Sequence, residues 1–162
     1  MKLASYKGTR RGFKGLLNRA IRWWTNSIYS HNELVFEGYN NSEGANLCAS
    51  SSGSDGGVRF KFINLDPSKW DICTLDIPEY SQKQAMLWFS EHADQGYDYL
   101  GLFGFVGKRG IQDKKKWFCS EAIAASLGFK DPEQYTPGML DCVVKEVYEE
   151  KPLDLVKEVY AK

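Results

Sequence analysis

Trp117-Phe118-Cys119-Ser120-Glu121-Ala122-Ile123-Ala124-Ala125-Ser126-Leu127-Gly128 (117–128) runs from the end of a charged loop into a small-residue helix that Gly128 closes. The cysteine stands at the helix start. There the free N–H groups and the helix dipole favour a thiolate and offer donors to an anion. A nucleophilic thiol also needs an imidazole to exchange its proton, and the chain holds two histidines, His31 and His92. His92 lies near the end of the helix expected at 81–94, where a histidine commonly caps the dipole. His31 opens a strand in Tyr29-Ser30-His31-Asn32-Glu33-Leu34-Val35-Phe36 and is the preferred base, because a strand packed beside the cysteine helix holds an imidazole rigidly. Glu121, in the first turn of the cysteine helix, either opposes the thiolate or complements the helix dipole as a structural residue.

Working outward, residues 10–25 read as a basic amphipathic helix. Phe13, Leu16, Leu17, Ala20, Ile21 and Trp24 form an apolar stripe, with Lys14, Asn18 and Arg22 on another face. Such a helix either packs its stripe on the core or lies on a membrane. Strands are expected at 31–36, 45–50, 58–63 and 70–77, separated by Gly-, Asn- and Ser-rich turns, and four in succession suggest an antiparallel sheet. In the third of these strands Val58, Phe60 and Phe62 face one way and Arg59 and Lys61 the other. A helix at 81–94 presents Ala85, Met86, Trp88, Phe89 and Ala93 and is closed by Gly96. The Gly- and aromatic-rich stretch 96–105 reads as a packed connector or a groove wall, and 142–148 as a last strand. Val144-Lys145-Glu146-Val147-Tyr148 recurs at 156–160, too little for a repeat architecture.

The 162 residues suit one domain with a substantial core, and a composition of 43% hydrophobic and 14% aromatic residues is that of a folded protein. The expected organisation is a single α+β domain over 1–162, with 1–27 a basic helical N-terminal segment. Net charge is zero but uneven: seven bases and no acid precede Glu33, leaving fourteen bases against twenty-one acids in the remainder. This asymmetry either marks contact with an anionic surface through Arg11, Lys14, Arg19 and Arg22 or is an ordinary solvated face. No nucleic-acid motif accompanies it.

Neither an export signal nor a membrane span is visible, so a cytoplasmic protein with reduced thiols is expected. Cys48, Cys73 and Cys142 read as small core residues. The spacing of the four cysteines fits no zinc pattern, and no metal or cofactor is expected.

The two motifs, Ser30-His31 on a strand and Trp117-Phe118-Cys119-Ser120-Glu121 far downstream, with Tyr97-Asp98-Tyr99 between them, resemble the permuted branch of the NlpC-type papain-like superfamily over residues 28–128. YiiX-like proteins and lecithin–retinol acyltransferase relatives belong to that branch, in which the histidine strand precedes the cysteine helix. The resemblance implies a circularly permuted papain-like fold and a cysteine peptidase or amidase working through Cys119 and His31. It implies cell-wall peptides first and lipid acyl esters second as substrates. A wall-directed enzyme would leave the cell by lysis or on a phage particle.

In that superfamily a polar residue on the following strand orients the histidine, and Leu47-Cys48-Ala49-Ser50 offers Cys48 or Ser50 but neither a carboxylate nor an amide. Glu33 shares the strand face of His31 and either substitutes for it or is a solvated edge charge. An acyltransferase of the same fold and a non-catalytic binding module are the rival functions. The binding module predicts a buried, unreactive Cys119.

Overall fold

The computed structural model describes residues 1–9, 12–98 and 116–148, with the side chains of Phe13 and Lys14 left aside. The strands are β1 (Lys2–Tyr6), β2 (His31–Asn40), β3 (Asn46–Ser52), β4 (Gly57–Ile63), β5 (Trp70–Thr74), β6 (Gly96–Tyr97) and β7 (Lys116–Trp117). They form one open sheet in the order β5-β1-β2-β3-β4-β6-β7, antiparallel throughout except for the parallel β6–β7 pair. Among the described residues there are four α-helices, α1 (Gly12–Thr25), α2 (Glu79–Glu91), α3 (Cys119–Ser126) and α4 (Pro137–Tyr148). The molecule is therefore mixed α+β.

β2, β3 and β4 form the expected meander. β5 does not continue it; the chain crosses to the far edge and pairs with β1. β1 itself lies within the segment expected to be helical. Leu3, Ala4, Ser5 and Tyr6 are all buried, so this central strand shows no inside–outside alternation.

The segment 142–148 belongs to helix α4 rather than to a strand. Thr136 accepts from the Met139 N–H at 3.2 Å and Pro137 occupies the first helical position, a standard helix start. Leu140 and Val144 then bury at a four-residue step. Cys142 lies on the outer face and is exposed, against its expected core role, whereas Cys48 and Cys73 are buried. α2 ends at Glu91, before Gly96. Asp94 takes the left-handed turn (φ 65°), and Gly96 opens β6 by pairing with Gly57. The recurrence at 156–160 and the stretch 99–115 lie outside the described residues.

The main core joins Leu3, Leu34, Phe36, Ala49 and Val58 of the sheet to Ala85 and Phe89 of α2, Ala122, Ile123 and Ala124 of α3, and Leu140 and Val144 of α4. A smaller cluster of Ala4, Tyr6, Val35, Cys48 and Trp70 holds together the strands' other side. α3 packs on β2 and β3, which brings the start of the cysteine helix to the start of the histidine strand.

Candidate active site

His31 is the first residue of β2, in register with Tyr6 of β1, and the Ser30 N–H donates to the Tyr6 carbonyl at 3.1 Å. Cys119 is the first residue of α3. The Glu121 carboxylate reaches back to accept from the Phe118 N–H at 3.1 Å, which fixes that helix start. Glu121 is thus a capping residue. Ser120 donates to the Tyr135 carbonyl at 2.5 Å and anchors the same turn from outside.

The Cys119 side chain stands beside the His31 imidazole, near enough to raise its pKa. On its other side the imidazole meets Glu33, with His31 Nε2 and Glu33 Oε1 2.8 Å apart. Of the two histidines, His31 is the partner of the thiol. His92 is held by its own helix, with Nδ1 at 2.8 Å from the Trp88 carbonyl and its ring stacked on Trp88 at 4.0 Å. The Trp70 ring lies edge-on to His31 at 6.4 Å between centroids and closes the apolar side of the imidazole.

Glu33 is 1% exposed, so an unbalanced charge there would be costly. Arg59 supplies the balance in a two-pronged contact, Nη1 to Oε2 at 2.7 Å and Nη2 to Oε1 at 2.5 Å. Burial alone would raise the Glu33 pKa, but the Arg59 charge and its hydrogen bonds, aided by His31, outweigh it and hold the carboxyl down at about 2. Burial likewise opposes the imidazolium. The Cys119 and Glu33 side chains outweigh that effect and raise His31 to about 9. Beyond Arg59, Asp55 accepts from Arg59 Nε at 3.0 Å and from Lys61 Nζ at 2.8 Å. The result is a continuous line Cys119–His31–Glu33–Arg59–Asp55–Lys61 in which acids and bases alternate.

Cys48 and Ser50, the alternatives for orienting His31, are occupied elsewhere. Ser50 donates to the Asn32 carbonyl at 2.7 Å, and Cys48 lies 3.5 Å from the Asn46 carbonyl, its thiol pushed up to about 12 by burial and by the Glu33 charge against the weaker pull of Arg59. Arg59 is the site residue that sequence reasoning missed. Its alternation with Val58 and Phe60 marked only a polar face, and the pairing of β4 with β3, not visible in sequence, carries that face toward Glu33.

A cavity of about 470 Å³ reaches His31, Glu33 and Arg59. Tyr6, Phe62 and Trp70 form an apolar wall, and Leu17, Asn18 and Ile21 of α1 form another. Cys119 does not line it. Cys119 is fully buried in a cluster with Ile21, Tyr97 and Phe118, against which the half-buried Leu17 packs. Burial is what a non-catalytic module predicts; a carboxylate-backed imidazole beside the thiol is a feature that such a module does not require. Tyr97 stands in the cavity wall, while Tyr99 lies outside the described residues. Among the described residues no cluster of three His, Cys, Asp or Glu side chains could hold a metal ion, and no helix is long and apolar enough to cross a membrane. Compared with known proteins, the sequence matches no family model and no curated protein.

Proposed function

We propose that this protein is a cysteine hydrolase of the permuted papain-like type that cleaves an amide bond through an acyl-enzyme. The observation that carries this reading is the line Cys119–His31–Glu33 with Arg59 behind it. Glu33 occupies Nε2, which leaves Nδ1 to exchange a proton with Sγ. The buried carboxylate orients the ring and stabilises the imidazolium that forms when the thiol loses its proton.

In this mechanism the Cys119 thiolate attacks the carbonyl carbon and forms a C–S bond, and the carbonyl oxygen takes up the negative charge. The backbone N–H of Cys119, at the start of α3, serves as a donor to that oxyanion. Collapse breaks the C–N bond while His31 gives its proton to the departing amine. Water then attacks the thioester and His31 accepts its proton. The C–S bond breaks, releasing the acid and restoring the thiolate–imidazolium pair. Because Cys119 is fully buried, substrate entry requires that the side chains packed around it part.

Cell-wall peptides are the substrate class proposed first. The apolar cavity walls around Tyr6, Leu17, Ile21, Phe62 and Trp70 favour a second reading, a lipid acyl ester whose acyl group passes to water or to another acceptor. Intact-protein mass spectrometry after brief exposure to stem peptides and to phospholipid separates the two. A mass increase on Cys119 equal to the acyl portion of one substrate, absent in His31→Ala, supports the corresponding reading. Turnover of either substrate by Cys119→Ser at the unmodified rate would exclude the mechanism.

A further inference from the structure

α1 turns one face inward, where Ile21 and Leu17 pack in the cluster of Cys119, Asn18 lines the cavity and the Arg22 guanidinium is bound to the Gly8 carbonyl. Among the described side chains of the expected apolar stripe only Ile21 is buried, with Leu17 half-buried beside it. Leu16, Ala20 and Trp24 are exposed. Leu16 is 57% exposed, Trp23 81%, Trp24 39%, and Ile28, just beyond the helix, 62%. Leu16, Ala20 and Trp23 follow one another at four- and three-residue steps and so form one continuous outward stripe. Arg19, exposed and three and four residues from Leu16 and Trp23, stands on the same side.

We infer that α1 is a docking element for an anionic lipid bilayer, lying in the interface with Leu16, Trp23, Trp24 and Ile28 in the headgroup–acyl boundary. Three observations select this occupant. Tryptophan favours the membrane–water boundary, and here two adjoining indoles, 6.1 Å apart, sit on the exposed side. The segment ahead of Glu33 carries seven bases and no acid; Lys2 and Lys7 are paired with Glu37 and Asp71, while Arg19 stands exposed beside the apolar stripe, which suits an anionic surface. The helix has 14 residues, enough to lie in an interface and too few to span a bilayer. Of the cations expected at such a surface, Arg19 is available, Arg22 is held inward, and Arg11 and the Lys14 side chain lie outside the described residues. Docking does not depend on the hydrolase reading, although the inner face of the same helix walls the candidate site.

Co-sedimentation of the full chain with vesicles of phosphatidylcholine alone, or of phosphatidylcholine with phosphatidylglycerol, tests this inference. Binding is expected to the anionic vesicles only, with a blue shift of tryptophan emission. Trp23→Ser lowers binding roughly tenfold and Arg19→Gln about fivefold. Both sites are exposed, so both variants keep the parent melting temperature, and Cys119→Ser binds like the parent. Absence of binding, equal binding to both vesicle types, or a soluble dimer dissolved by Trp23→Ser would overturn the inference.

Discussion

At the scale of single residues the account turns on Glu33, a carboxylate that remains ionised although buried because Arg59 grips both of its oxygens. Two pH dependences follow from the paired shifts. The His31 pKa is raised from 6.5 to about 9, so its contribution to stability is complete below about 6.5 and is lost as pH rises through about 9. The Glu33 pKa is lowered from 4.5 to about 2, so its contribution is present above about 4.5 and is lost as pH falls through about 2. Glu33→Gln should move the alkaline limb of kcat/KM from near 9 toward the ordinary histidine range and lower its maximum at least about tenfold. The same change leaves Asp55 as the remaining carboxylate partner of Arg59 and should cost about 2 kcal/mol of stability, measured by denaturant melting. An unmoved alkaline limb in the folded variant would show that Glu33 does not act on His31. Much of this was legible in sequence. The His31–x–Glu33 spacing places both side chains on one strand face, and Cys119 announces itself at a helix start. Arg59 was not legible, because its partner depends on the β2–β3–β4 register, which sets residues of distant sequence side by side.

At the scale of elements, the joints between sheet and connections decide where the site forms. Gly57 lies at φ 149°, where a Cβ would sit 1.9 Å from the Gln95 carbonyl oxygen. This close approach lets β4 pair with β6 and places Tyr97 in the cavity wall. Gly57→Ala should therefore lower stability by about 2–4 kcal/mol, seen as a fall in melting temperature, whereas alanine at Ser54 in the same turn should change it little. Turn residues bracketed β2, which is buried on both faces from Asn32 to Phe36, while alternation identified β4 and a helical stripe α2. Periodicity failed for β1, buried throughout, and for α4, whose Val143, Val144, Val147 and Tyr148 favour strand by propensity while Thr136-Pro137 starts a helix. The apolar and polar residues of α1 were legible, but which of them turn inward was not. A helical wheel shows which residues share a side, and only packing shows which side is turned inward.

At the scale of the whole molecule, chain order and three-dimensional position meet at one place. A strand beginning at His31 and a helix beginning at Cys119, separated by most of the sheet in sequence, end with their first residues side by side. The central claim is that this contact makes a buried thiol more reactive than an exposed one, and Cys142 provides the internal reference because it is exposed on α4. Iodoacetamide labelling across pH, read by peptide mass spectrometry, measures the two thiols in the same sample. The account predicts that Cys119 is alkylated before Cys142 in mildly acidic buffer, and that His31→Ala abolishes this lead. Alkylation of Cys142 ahead of Cys119 at every pH, unchanged by His31→Ala, would contradict it.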